Sequence, residues 1–482
     1  MVAEIFQRFV QESPVAVMVR ATLENAFAAP ALDELFLQTV EQQYTRTLLF
    51  STVVELMTTV VLRQEQSIHA AFQQRREQLG VGISSLYEKL GRMETGVSEA
   101  LVRHSVTRVE PMLKELALTP EEILPGYEVR ILDGHHLAGT EHRLKSLRRT
   151  RAGALPGQSL VALDPQGKLI RHVCCCEDGH TQERALVDEA LAWVEPGQVW
   201  VADRNFATTR WLFGVVRRGG HVVVREHAST LHWVAVGPVQ AAGRCETGSV
   251  TEQELQIADE QGTVLRLRRI TLRLDRPTQD GDRVIVVLTT LPAEVSAAAV
   301  VEVYRKRWRI EGAFQDLTVI LQCEPNTLGY PPAALFAFCL AVMAYNVLRV
   351  TRAALEAAHG TEKVEREVSS YYLAQELAKV FPGMAIALPV EEWEQYRWMP
   401  PPEFAAQLRQ WARQARLWRY QKHPRGPKKP RSRRVRGAKI GHVATARLLA
   451  HRIVRRDHPE RAGLFGVAPK IRHPAQERVI SL

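Results

Sequence analysis

A chain of 482 residues has room for about three domains. With 46% apolar and 24% charged residues it is a globular chain, neither disordered nor a small disulfide-stapled scaffold. The formal net charge of +10 favours polyanionic partners, and residues 1–8 lack a basic region followed by an apolar one, so no secretory leader is expected.

Residues 1–124 carry helical apolar patterns, as in 47–62 and 86–90, with few strand-like alternations, and are expected to form a helical N-terminal domain. Within it the break Gly80-Val81-Gly82-Ile83-Ser84 reads either as a helix-turn-helix corner or as a plain connector.

From Tyr127 the pattern changes to short β-rich runs at 129–132, 159–163, 169–176 and 199–202, with a helical stretch at 181–194 before the last. This predicts a mixed α/β domain over 125–355. A second β-rich segment at about 225–291 has turn signals at 259–262 and at Asp280-Gly281, which separate runs at 255–257, 264–274 and 283–291. It reads as hairpins inserted into the α/β domain. Helices resume at Glu294 and continue, with interruptions, to about Leu417.

The apolar run 331–348 approaches the length of a membrane span, but it contains Asn346 and leads directly into Arg349 and Arg352. A buried core helix and no membrane are expected. The C-terminal region, 356–482, includes a segment at 418–439 with ten Lys/Arg and no Asp or Glu, broken by Pro424, Pro427 and Pro430. Such a block suits nucleic acid, with a solvated basic linker as the alternative. Of the six cysteines, Cys174, Cys175 and Cys176 are consecutive and point to alternate faces of a strand, and no second Cys/His pair accompanies Cys176 and His180. No structural metal is expected from them, and a reducing cytoplasm fits.

Asp133 follows the run 129–132 and Asp203 follows 199–202, which places both carboxylates at the carboxyl ends of predicted strands, where α/β folds put their ligand crevices. Tyr304, Arg307, Glu311 and Thr318, separated by 3, 4 and 7 positions, share one helical stripe beside the apolar stripe of Ile310, Phe314, Leu317 and Leu321. A surface pair of Arg307 with Glu311 is the plain alternative. A helical Trp such as Trp308 is expected to be buried. His135 and His136 read as structural or DNA-proximal.

Taken together, 131–134, 201–206 and 304–311 resemble the DDE transposases of bacterial insertion sequences, in the group with the signature Y-x2-R-x3-E-x6-K. The resemblance implies an RNase H-like mixed sheet with a β insertion, and the 108 positions from Asp203 to Glu311 leave room for one. It further implies catalytic, metal-holding carboxylates Asp133, Asp203 and Glu311. Two Mg²⁺ ions, replaceable by Mn²⁺, would be held with Asp133 between them, for cleavage at element ends and strand transfer into target DNA. Tyr304, Arg307, Trp308 and Lys306 would then contact DNA near the cut, and Lys428, Lys429, Arg431, Arg433, Arg434 and Arg436 would track phosphates.

The partners expected are double-stranded DNA, as terminal inverted repeats and target, and a second copy in a synaptic dimer, in a bacterial cytoplasm at the nucleoid. The signature lysine falls at Thr318, which supplies no charge. This keeps an inactive, transposase-derived DNA-binding protein as one alternative; an RNase H-like nuclease without joining activity is another.

Overall fold

Strands that carry apolar side chains on both faces need cover on both sides, and the central strands of this chain are of that kind. The computed structural model describes residues 2–43, 47–116, 122–227, 231–278, 281–423 and 442–450. Its strands are β1 (Glu128–His136), β2 (Gly153–Leu155), β3 (Gln158–Asp164), β4 (Leu169–Cys176), β5 (Gln198–Ala202), β6 (His221–Arg225), β7 (Trp233–Ala235), β8 (Gln240–Cys245), β9 (Gly248–Ala258), β10 (Val264–Leu274), β11 (Val284–Thr289) and β12 (His442–Ala444). Of the helices, α1 (Thr95–Glu115), α2 (Val187–Leu191), α3 (Thr209–Arg217), α4 (Ala297–Arg305), α5 (Arg309–Gln315) and α6 (Pro331–His359) frame the sheet.

Among the described residues, ten strands form one mixed sheet in the order β4-β3-β1-β5-β6-β11-β10-β9-β7, with β8 also on β9. β1, β5 and β6 are parallel, whereas β3 runs antiparallel to β1 and β4 antiparallel to β3. The β-rich segment extends this sheet, because β11 pairs antiparallel with β6 and the long β9–β10 hairpin continues from there. β12 pairs with β2 in a separate small ladder.

Alternation along β1 and β5 divides the core. Val129, Ile131, Val199 and Val201 enter one apolar cluster with α1, α4, α5 and α6, whereas Leu132, Trp200 and Ala202 enter a second with α2 and α3. The first cluster is continuous from Phe6 to Tyr420, so the N-terminal and C-terminal helices share a core with the sheet. The helix expected at 181–194 is shorter, a single 3-10 turn (Glu183–Leu186) followed by α2.

The apolar run at 331–348 lies in α6, which is long and apolar enough to cross a membrane but whose most apolar window is 83% buried against its neighbours. Asn346 is fully buried there and fully used: its Oδ1 accepts from Ile170 N at 3.0 Å, and its Nδ2 donates to Ser105 Oγ at 2.8 Å and Ile170 O at 3.0 Å. A buried amide satisfied in this way fixes α6 against both α1 and β4.

Candidate active site

The parallel ladder between β1 and β5 ends at the pair Leu132–Ala202, so Asp133 and Asp203 are the next residues on adjacent strands. Both therefore fall on the sheet face covered by the helices that carry Glu311. Asp133 does not close its strand, as the sequence suggested: β1 runs on to His136, paired with β3. What ends at Asp133 is the partnership with β5. Asp203 caps the short 3-10 turn Arg204–Phe206, its Oδ1 accepting from Asn205 N at 2.7 Å.

Glu311 reaches this point through Arg307. The Arg307 guanidinium donates from Nη1 to Asp133 Oδ2 at 2.9 Å and from Nη2 to Glu311 Oε1 at 3.3 Å. The expected i,i+4 pair of Arg307 and Glu311 thus exists, and it is one half of a bridge to the sheet. Arg307 Nε is buried without a hydrogen-bond partner among the described residues. Tyr304, almost fully buried, shares a side-chain hydrogen bond with Arg307. Burial also pushes its phenol upward.

The helix that bears this motif is not uniform. It passes from α4 through a 3-10 turn (Lys306–Trp308) into α5 and then into a π-helical turn (Asp316–Ile320). The expected apolar stripe holds, with Ile310 and Leu317 fully buried. Trp308 departs from expectation: it lies in the 3-10 turn and is 61% exposed, and Arg307 packs over its ring at 5.5 Å. Lys306 is half-buried in the same turn.

Thr318, at the end of the motif, folds its hydroxyl back onto Phe314 O at 2.9 Å. A cation nonetheless sits at this helix end. Arg63 donates to the carbonyls of Ile320 at 3.1 Å and of Thr318 and Val319 at 3.3 Å, and it takes a left-handed backbone (φ 56°) to do so. Nothing in the local sequence around Arg63 signals this long-range contact. Arg305 pairs with Glu302 and Arg309 donates to Pro165 O, so both are engaged within the fold.

His135 is structural in its surroundings: its Nε2 lies 2.6 Å from Glu324 Oε1 and its ring packs between Phe314 and Phe338. Cys323 lies beside this pair, close enough for the three to share a metal ion. Lys428, Lys429, Arg431, Arg433, Arg434 and Arg436 lie outside the described residues.

Electrostatically the centre is overloaded with negative charge. Burial pushes the Asp133 carboxyl up to about 7, with Asp203 and Glu183 adding to the rise and Arg307 opposing it. Carboxylates gathered this closely repel one another unless a cation joins them. The donors are hard oxygens, and Asp133 and Glu311 both remain partly open to solvent, so the set fits a hard divalent cation better than a soft one.

Residues 124–347 match the family model described as "Transposase DDE domain", and the resemblance read from the sequence is borne out over that segment. A search of curated proteins finds no match. Among solved structures, the cryo-EM structure of a piggyBac transposase synaptic complex with hairpin DNA is similar at 11% identity and a TM-score of 0.38. That alignment spans 78% of this chain and 86% of that one, a likeness too loose to bear on function.

Proposed function

From the transposase DDE domain match, we propose that this chain is a DNA transposase that cuts at the ends of its own element and joins them to target DNA by metal-dependent phosphoryl transfer. The observation that carries the reading is the meeting of Asp133 and Asp203 at the end of the β1–β5 ladder, with Glu311 drawn to Asp133 by Arg307. The order β4-β3-β1-β5-β6, antiparallel on one side of β1 and parallel on the other, supports an RNase H-like core. In this reading β7–β11 are the insertion before Glu311.

Asp133, Asp203 and Glu311 would hold two Mg²⁺ ions, or Mn²⁺, which when bound activate a water or a DNA 3′-hydroxyl and stabilise the leaving oxygen. The chain's own residues supply the frame. The rigid ladder fixes the two aspartates, and the Asn205 amide orients Asp203. Arg307, backed by Tyr304, sets the distance of Glu311 and offers its guanidinium to a DNA phosphate. Trp308 presents an exposed ring for stacking beside the cut.

Lys306 and the basic segment would track phosphates of the inverted repeats and target, with two copies of the chain holding paired ends in a bacterial cytoplasm. A second reading, an inactive DNA-binding derivative, is favoured by the uncharged Thr318 at the signature lysine position. Incubation of the purified chain and Mg²⁺ with DNA bearing the flanking ends and a target plasmid separates the readings. Nicked ends and joined products are expected; binding to the ends without either product would sink the catalytic reading.

A further inference from the structure

We propose that Glu183 is a fourth carboxylate of this centre, holding divalent cation together with Asp133 and Asp203. The inference rests on the metal reading above and adds a residue to it. Glu183 opens the 3-10 turn Glu183–Leu186 in the connection between β4 and β5. Its side chain lies against the α-carbon of Gly134, the residue after Asp133. A Cβ at position 134 would stand 2.6 Å from Glu183 Cγ and closer still to the carboxylate, so only glycine leaves Glu183 this place.

Asn205 fixes the other side. Its Nδ2 donates to Glu183 Oε2 at 3.3 Å, while its backbone N–H donates to Asp203 Oδ1 at 2.7 Å, so one residue holds both carboxylates. Asp133 borders the same glycine, its Oδ1 accepting from Gly134 N at 3.0 Å. Glu183 is only partly buried, and a flexible glutamate would ordinarily turn toward water and away from like charge. Here it lies against Gly134 and is held by Asn205, the residue that also holds Asp203. The cation of the cluster, Arg307, is engaged with Asp133 and Glu311. The side holding Glu183 and Asp203 is therefore where an added cation relieves the most repulsion.

The test is Mn²⁺ binding to the full chain without DNA, followed by the paramagnetic resonance signal of free Mn²⁺, so that no catalytic turnover enters. Glu183→Gln keeps the size and the Asn205 contact and is expected to weaken Mn²⁺ binding about tenfold. Its melting temperature in chelator should not fall. Gly134→Ala, which displaces Glu183 by contact, should weaken binding similarly and add nothing to Glu183→Gln; it also serves as the second variant if Glu183→Gln folds poorly. Wild-type affinity in both variants, with binding lost in Asp133→Asn, would overturn the role of Glu183 and leave the metal reading standing. Wild type and Asp133→Asn binding Mn²⁺ equally, or neither binding it, would overturn both.

Discussion

Arg307 Nη1 lies 2.9 Å from Asp133 Oδ2, so the turn that leads into the Glu311 helix is tied to the first strand by one guanidinium. The side chains are 12% and 17% exposed, which places this pair under largely desolvated conditions. Arg307 only partly offsets the burial of Asp133, whose carboxyl still stands near 7.

That shift has a sign. The folded chain keeps the Asp133 proton at a pH where the unfolded chain has lost it, so ionised Asp133 destabilises the fold. The penalty is absent below about pH 4, grows as pH rises toward the folded value of about 7, and is full above it. Asp133→Asn, measured by denaturant unfolding in chelator, should therefore gain on the order of 4 kcal/mol at pH 8 relative to its effect at pH 4. An equal effect at both pH values would contradict this electrostatic account.

Trp308 is exposed, so its loss should leave the fold nearly unchanged, within about 0.5 kcal/mol. Binding of DNA ends by Trp308→Ala should weaken by about 1–3 kcal/mol if the ring stacks on a base. Titration of a fluorescent end duplex checks this. A destabilised fold with unchanged binding would instead make Trp308 a packing residue.

Arg63 combines a left-handed backbone with carbonyl contacts at the end of the Glu311 helix, and two substitutions separate these. Both Arg63→Ala and Arg63→Gly lose the contacts, but only alanine bears the steric cost of the left-handed conformation. Alanine should therefore be less stable than glycine by about 1 kcal/mol in urea unfolding. Equal stabilities would mean that the backbone relaxes freely at this position.

The parts legible in the sequence were those written in local pattern. β1, β3 and β5 are apolar on both faces, so they stand out as runs, and the place where β1 and β5 stop pairing falls directly before an aspartate in each. The apolar stripe of Ile310 and Leu317 was legible for the same reason. The change from α to 3-10 to π geometry is not legible in this way: no local pattern marks it, and the carbonyls at its π end meet Arg63, more than 250 positions away in the chain. Trp308 stands within that change, exposed where a helical Trp is expected to be buried. Glu183 is not legible in the sequence, because its turn has no periodic signal and meets Gly134 only in three dimensions.

Replacing Lys428, Lys429, Arg431, Arg433 and Arg434 of the basic segment with Gln removes five charges. If all five contact phosphates, the slope of log affinity against log salt should become shallower by about 4.5. An unchanged slope would make the segment a solvated linker.

The most direct measurement is Mg²⁺-dependent cleavage of a duplex bearing the flanking ends, comparing wild type with Asp133→Ala, Asp203→Ala and Glu311→Ala, with DNA binding measured alongside. Wild type is expected to cut and none of the three variants is, although all of them still bind. Cutting that survives loss of any one carboxylate, or tight binding without cutting by wild type, would contradict this expectation.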